Sequence, residues 1–116
     1  MNEKSYDLEE RTAKFGENII CLIKKVPRNI ATIAILKQLI RSGTSVGANY
    51  MEANGASSKK DFKNKIHICK KEAMETKYWL RMLAQADNNF KDEYRKIWQE
   101  AQELSMIFGK IAAMSK

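Results

Sequence analysis

Residues 41–55 of this 116-residue chain read RSGTSVGANYMEANG, and the conformation of this stretch decides the fold class. It holds three of the five glycines and follows directly on the apolar run IATIAILKQLI. A phosphate-binding loop needs a preceding strand and a Lys-Ser/Thr pair after its glycines, and both are missing here. The helical spacing of the apolar run continues in phase through Gly43, Gly47 and Tyr50. The stretch is therefore predicted to be the second half of a long helix.

The two glycines inside this helix indicate a close packing contact. Gly43 and Gly47 are four residues apart and share one face. A glycine in a helix interior costs about 1 kcal/mol relative to alanine, so a pair is expected where a neighbouring backbone comes close. The other face carries Arg41, Ser45 and Glu52. Arg41 and Glu52 lie about 16 Å apart along the axis, so each is expected to meet solvent, another helix or another subunit.

Apolar residues at helical spacing divide the whole chain into four segments. The clearest stripe alternates steps of four and three, as in the seam of a helix bundle. Its members are Phe62, Ile66, Cys69, Ala73, Thr76, Leu80 and Leu83. The first stripe is Leu8, Thr12, Phe15, Ile19, Leu22 and Val26, and the last is Tyr94, Ile97, Ala101, Leu104, Phe108 and Ile111. The predicted helices span residues 7–26, 29–54, 58–86 and 91–115.

Short connections between long helices favour antiparallel neighbours. The sequence therefore predicts an all-α, antiparallel up-down-up-down four-helix bundle. At 116 residues the chain has room for one core, so residues 1–116 are predicted to be a single domain.

The charge balance and the cysteines bear on partners and compartment. The chain has 21 Lys and Arg against 14 Asp and Glu, a net charge of +7 that favours polyanions such as nucleic acid or serves solubility alone. No apolar run approaches a membrane span of about 18 residues, and the N-terminus lacks the apolar core of a signal peptide. Cys21 and Cys69 lie among apolar neighbours and are predicted to be buried free thiols. A cytoplasmic protein without membrane contact is expected.

A basic segment, KKDFKNKIHICKK at residues 59–71, is the strongest charge feature. On a helix, its cations and those that follow lie along one flank of the apolar stripe and could track a phosphate backbone. A solvated lysine face is the alternative. The predicted nucleic-acid-binding residues, called the basic ridge below, are Lys59, Lys60, Lys63, His67, Lys70, Lys71, Lys77 and Arg81.

The opposite flank of the third helix interleaves Ile68 and Trp79 with Glu72 and Glu75, which suggests a second packing surface and hence oligomerisation. In this interpretation the acids of one subunit meet Arg41 or a lysine of the next. The alternative is a tryptophan that lies along its own bundle. The predicted interface residues are Arg41, Gly43, Ser45, Gly47, Asn49, Glu52, Ile68, Glu72, Glu75 and Trp79.

No pattern of catalytic residues is visible in the sequence. A di-iron bundle needs Glu-x-x-His on two helices, whereas this chain has one histidine, with no glutamate three residues before it. The pairs Glu72/Glu75 and Glu100/Glu103 are interpreted as exposed charges. We expect no enzyme activity, no cofactor and no metal, and a metal-carboxylate enzyme is the discounted alternative.

Several motifs together resemble a known family. These are RSGTSVGANYMEA at 41–53, Asp61-Phe62, KEAMETKYWL at 71–80 and, earlier, Glu10-Arg11-Thr12 with Phe15, Pro27 and QLIRS. They resemble, over nearly the whole chain, the bacterial four-helix bundle proteins encoded in intervening sequences of 23S ribosomal RNA genes, a family that includes accessory proteins of diversity-generating retroelements. The resemblance implies a ring-like homopentamer. For the retroelement branch it also implies contact with nucleic acid and reverse transcriptase.

The functional expectation is a non-enzymatic homo-oligomer, pentameric by resemblance, that binds RNA or DNA through the basic ridge. The alternative is a scaffold or accessory subunit that recruits a partner protein, such as an enzyme acting on nucleic acid.

Overall fold

In a computed structural model, which describes residues 7–115, all regular secondary structure is α-helical. The four helices are α1 (Leu8–Lys25), α2 (Ile30–Asn54), α3 (Lys59–Ala86) and α4 (Lys91–Met114). Three predicted segments begin one residue earlier because they include the capping residue, namely Asp7, Asn29 or Ser58. Residues 1–6 and 116 of the predicted domain lie outside the described part.

Side-chain caps fix where the helices begin. Asp7 accepts a hydrogen bond from the Glu10 amide and Ser58 from the Asp61 amide, both at 3.0 Å. At α2 the cap is reciprocal, because Asn29 Oδ1 accepts from the Thr32 amide and Thr32 Oγ1 accepts from the Asn29 amide. Each such cap contributes about 1 kcal/mol by satisfying first-turn amides that have no helical partner.

The predicted apolar stripes form one core. Every member of the first stripe is buried, and so are the members of the other two except the half-buried Phe62 and Ile111. Buried hydroxyls also contribute, because Thr76 Oγ1 donates to Ser42 Oγ at 2.9 Å and so links α3 to α2. Between residues 7 and 115, no buried side-chain nitrogen or oxygen lacks a hydrogen-bond partner. The buried polar groups of this part of the chain are therefore hydrogen-bonded within the chain.

Each helix packs against the helices before and after it in the chain. The contact of α1 with α4, which closes the bundle, is the sparsest. Between α2 and α3, residue numbers increase along one helix as they decrease along the other. Thr76 of α3 contacts Ser42 of α2, whereas Cys69, earlier in α3, contacts the carbonyl of Val46, later in α2. Within residues 7–115 no helix is long and apolar enough to cross a membrane.

The glycine pair of α2 packs against α1 of the same chain. A Cβ at Gly43 would overlap Cδ1 of Ile19, and a Cβ at Gly47 would lie 3.3 Å from the carbonyl oxygen of Thr12. The two helices approach closely at these two positions because α2 has no side chain there.

Candidate nucleic-acid interface

Carboxylates of α2, α3 and α4 are paired with cations on other helices. Six of them form such pairs, and four cations are enough to satisfy them. The pairs are Arg11 with Glu100 and Glu103, Lys25 with Glu93, Arg41 with Glu72 and Glu75, and Lys65 with Glu52. Glu93, Glu100 and Glu103 of α4 therefore face α1, and Glu72 and Glu75 of α3 face α2.

The pair at Arg11 has the most definite geometry. Its Nε and Nη2 atoms donate to the two oxygens of Glu100 at 2.7 Å each, and Nη2 also donates to Glu103 at 2.8 Å. These hydrogen bonds, the one to Glu100 first, raise the pKa of Arg11 further above its ordinary value. This bidentate contact joins α1 to α4, the two neighbouring helices that contact each other least.

With those acids directed elsewhere, the seam between α3 and α4 is lined by cations. Lys70, Lys77 and Arg81 approach it from α3, and Lys91 and Arg95 from α4. Within residues 7–115, Arg95 alone among these five forms an ion pair, at 3.5 Å from the highly exposed Asp92. We call these five residues the basic seam.

Two lysines of the basic seam contact α4. The outer part of the Lys70 side chain lies beside Gly109, where an added Cβ would be 3.7–3.9 Å from its last three atoms, an ordinary van der Waals distance. Lys77 Nζ lies 5.2 Å from the centroid of the Trp98 ring and donates to Gln102 Oε1 at 2.5 Å. A cation held over an indole is partly ordered before any ligand arrives, which lowers the entropy cost of binding.

The predicted basic ridge divides between two faces of α3. Lys70, Lys77 and Arg81 reach the seam with α4, whereas His67 and Lys71 are exposed. The remaining lysines lie near the start of α3, with Lys63 half-buried and Lys59 and Lys60 exposed. The ridge predicted from α3 alone omits the cations that α4 adds, and its contact with nucleic acid stays a prediction.

The predicted interface residues find their polar partners within the chain. Arg41 pairs with Glu72 and Glu75, and Trp79 Nε1 donates to Glu75 Oε2 at 2.8 Å. Glu52 accepts from Lys65 Nζ at 2.7 Å, and this hydrogen bond raises the pKa of Lys65. Asn49 Nδ2 donates to the Ser45 carbonyl, and Ser45 Oγ donates to the Arg41 carbonyl.

Ile68 and Trp79 are half-buried, and the glycine pair contacts α1 of the same chain. The role of the predicted interface residues in assembly stays a prediction.

An apolar surface on α1 and α2 was missed by the sequence analysis. Ile20, Ile33, Ile40 and Met51 are exposed there, Ile20 and Ile40 at about 40% of their full area and Met51 at 63%. The register that places Gly43 at Ile19 also places Ile20 level with Ile40, across the α1–α2 seam. This surface could have been found in the sequence, because α2 carries a second set of apolar residues that is out of phase with its core positions.

The two cysteines are free but differ in environment. Cys69 is buried, as predicted, and desolvation raises the pKa of its thiol to about 12. The prediction for Cys21 was wrong, because this residue lies on the exposed side of α1 between core positions 19 and 22. In the part of the chain that the structure describes, no cluster of three His, Cys, Asp or Glu residues is placed to hold a metal ion.

A family model and a solved structure match most of this chain. The family model described as "23S rRNA-intervening sequence protein" matches residues 4–110. The chain belongs to this family. Its fold is similar to the crystal structure of a protein of unknown function from the S23 ribosomal protein family of Bacteroides thetaiotaomicron VPI-5482, with 33% identity and a TM-score of 0.80. The match covers 90% of this chain and 96% of that one. No curated protein matches.

Proposed function

We propose that this family member is a non-enzymatic, cytoplasmic nucleic-acid-binding protein that acts as an oligomer of antiparallel four-helix bundles. One observation carries the binding function. The carboxylates of α3 and α4 that form pairs with other helices face α1 and α2, whereas five cations line the α3–α4 seam. Part of the net charge of +7 is thereby concentrated on one groove, where a phosphate backbone binds favourably.

A charge-reversal experiment tests the binding function. Lys63→Glu combined with Lys70→Glu places both changes at the ridge and seam and lowers the net charge of the chain from +7 to about +3. Lys14→Glu combined with Lys37→Glu makes the same change at exposed positions of α1 and α2. A fluorescent RNA hairpin and a DNA duplex are titrated with each protein over a salt series. We expect the first variant alone to weaken binding by tenfold or more and to reduce the salt slope by about 1 to 2. Equal losses in both variants would show that only total charge matters.

The oligomer is proposed to be a homopentameric ring. The resemblance to ring-forming proteins supports this assembly, and so does the exposed apolar surface of Ile20, Ile33, Ile40 and Met51. A pentamer has a mass of about 67 kDa against 13.4 kDa for one chain, which light scattering resolves. Ile40→Glu tests the apolar surface and Trp79→Ala tests the flank predicted from the sequence. If both variants keep the wild-type mass and helicity, neither surface is the contact between copies.

A scaffold that recruits a partner protein is the second candidate. Met74 and Tyr78 are about half exposed on the outer face of α3, where His67 and Lys71 are also exposed. Apolar side chains next to positive charge suit an acidic, partly apolar partner. This candidate predicts that the purified protein does not bind RNA or DNA at any salt concentration. It also predicts that Tyr78→Ala abolishes capture of the partner without changing the mass.

A further inference from the structure

The basic seam ends in a groove that combines cations with aromatic walls. It lies where the end of α3 meets the start of α4 and has a volume of about 400 Å³. Arg81 lines it from α3, and Lys91 and Arg95 from α4, with Tyr94 and Trp98 alongside. Sites for small ligands have volumes from about 300 Å³ upwards. A groove of this size suits one nucleotide and not a double helix.

Two of the three cations in this groove have no acidic partner within residues 7–115. None of its lining residues is acidic, and within residues 7–115 neither Arg81 nor Lys91 forms an ion pair. Arg95 contacts Asp92 at 3.5 Å, but both side chains are more than two-thirds exposed, so this pair is weak and easily exchanged. The groove is therefore prepared for an anion.

The aromatic walls are held by contacts outside the groove. Lys77, fixed by Gln102, lies over the ring of Trp98 and orders the half-buried indole. Tyr94 is buried, and its hydroxyl donates to Asp87 Oδ2 at 2.5 Å, so it serves as a wall and offers no free donor. A half-buried indole beside three cations matches the chemistry of a nucleobase joined to phosphates.

We propose that this groove binds one unpaired nucleotide of a nucleic-acid strand. The base packs against Trp98, and the flanking phosphates contact Arg81, Lys91 and Arg95. A paired base in a duplex has both faces covered by its neighbours, whereas a base in a loop or overhang leaves a face free for stacking. This inference rests on the proposed nucleic-acid binding and narrows its ligand to strands with unpaired bases.

The test compares two RNA hairpins with the same stem, one blunt and one with an eight-nucleotide single-stranded overhang. We expect the wild-type protein to prefer the overhang about tenfold, as stacking of a single base allows. Trp98→Leu should remove this preference by lowering the overhang affinity more than the blunt affinity, whereas Trp98→Phe retains a stacking surface and most of the preference. Arg95→Gln should weaken overhang binding more than Lys96→Gln at the neighbouring exposed position, which does not line the groove.

A spectroscopic measurement is independent of affinity. In Trp79→Phe the remaining tryptophan is Trp98, and stacking of a base on it should quench its fluorescence with overhang RNA and not with blunt RNA. The inference would be overturned by equal affinity for the two hairpins or by no quenching at saturation. It would also be overturned if polyglutamate displaced the overhang RNA as effectively as unlabelled overhang RNA does. If charge reversal at Lys63 and Lys70 still weakens both hairpins, the proposed function survives that result. If neither hairpin binds at low salt, both proposals fail.

Discussion

The close contact between α1 and α2 makes a sign-reversing prediction for glycine-to-alanine substitutions. Alanine in place of glycine inside a helix stabilises by about 1 kcal/mol when the new methyl group meets no obstacle. At Gly16 in α1, an added Cβ would lie 3.7 Å from Cα and Cγ2 of Thr44, an ordinary van der Waals distance. Gly16→Ala is therefore expected to raise the free energy of unfolding by about 1 kcal/mol.

At Gly43 the same substitution meets an obstacle. The new Cβ would overlap Cδ1 of Ile19 and lie 3.4 Å from its Cγ1 and Cγ2. Ile19 is fully buried, so its side chain has little room for another rotamer, and overpacking of this kind costs about 1–3 kcal/mol. After subtraction of the helix-propensity gain, Gly43→Ala should lower the free energy of unfolding by about 0–2 kcal/mol. The two variants should then differ by about 1–3 kcal/mol.

A double-mutant cycle identifies the atom responsible. Ile19→Val removes Cδ1 and should cost about 1 kcal/mol in the wild-type background. In the Gly43→Ala background the same change removes the overlap, so it should cost nothing or stabilise. Urea unfolding followed by circular dichroism measures all four proteins at one protein concentration, because assembly makes stability depend on concentration. If Ile19→Val costs the same in both backgrounds, or if Gly43→Ala stabilises as much as Gly16→Ala, the close-contact argument is wrong.

Three further predictions concern ion pairs and thiols. Arg11→Leu should cost about 1–2 kcal/mol because it leaves the partly buried Glu100 without a partner, whereas Lys25→Leu at the more exposed pair with Glu93 should cost under about 1 kcal/mol in the same urea assay. A thiol reagent should label Cys21 rapidly and Cys69 only after denaturation, and fast labelling of two thiols in the folded protein would contradict the burial of Cys69.

The pKa of the Cys69 thiol is about 12 in the fold, against an ordinary 9.0. The contribution of the protonated thiol to the free energy of unfolding is therefore complete below pH 9 and is lost as the pH rises towards 12. Between pH 8 and pH 10.5 the wild-type protein should lose about 2 kcal/mol more stability than Cys69→Ala, and equal losses would contradict this reasoning.

The helices and their core faces were predictable because they depend on local spacing. The alternation through Ile66, Cys69 and Ala73 determines which side of α3 is buried, whatever lies opposite. The helix starts were predictable to within about two residues for the same reason, because a capping side chain, here Asp7, Asn29 or Ser58, lies only two or three residues before the amides it caps.

The partners across each seam could not be predicted from spacing. Periodicity places Lys77 on one flank of α3, but it does not say whether α2 or α4 lies on that flank. This choice decides that Lys77 meets Trp98 and that Arg41 meets Glu72 and Glu75 of its own chain. The predicted burial of Cys21 was wrong for a related reason. Its immediate neighbours in α1, Ile20 and Leu22, are also apolar, so composition alone could not distinguish the core face from the exposed face.

The order of the helices around the bundle has a consequence for the proposed assembly. Because α1 packs on α2, α2 on α3 and α3 on α4, the α1–α2 seam lies opposite the α3–α4 seam. Copies that associate through Ile20 and Ile40 would therefore leave every basic seam free, so several grooves on one particle could contact a single strand at high effective concentration. In that arrangement Ile40→Glu should lower both the mass and the affinity for long RNA while sparing that for a short overhang hairpin. Lys63→Glu with Lys70→Glu should lower both affinities and leave the mass unchanged. A variant at either seam that altered mass and short-hairpin affinity together would place assembly and binding on the same surface.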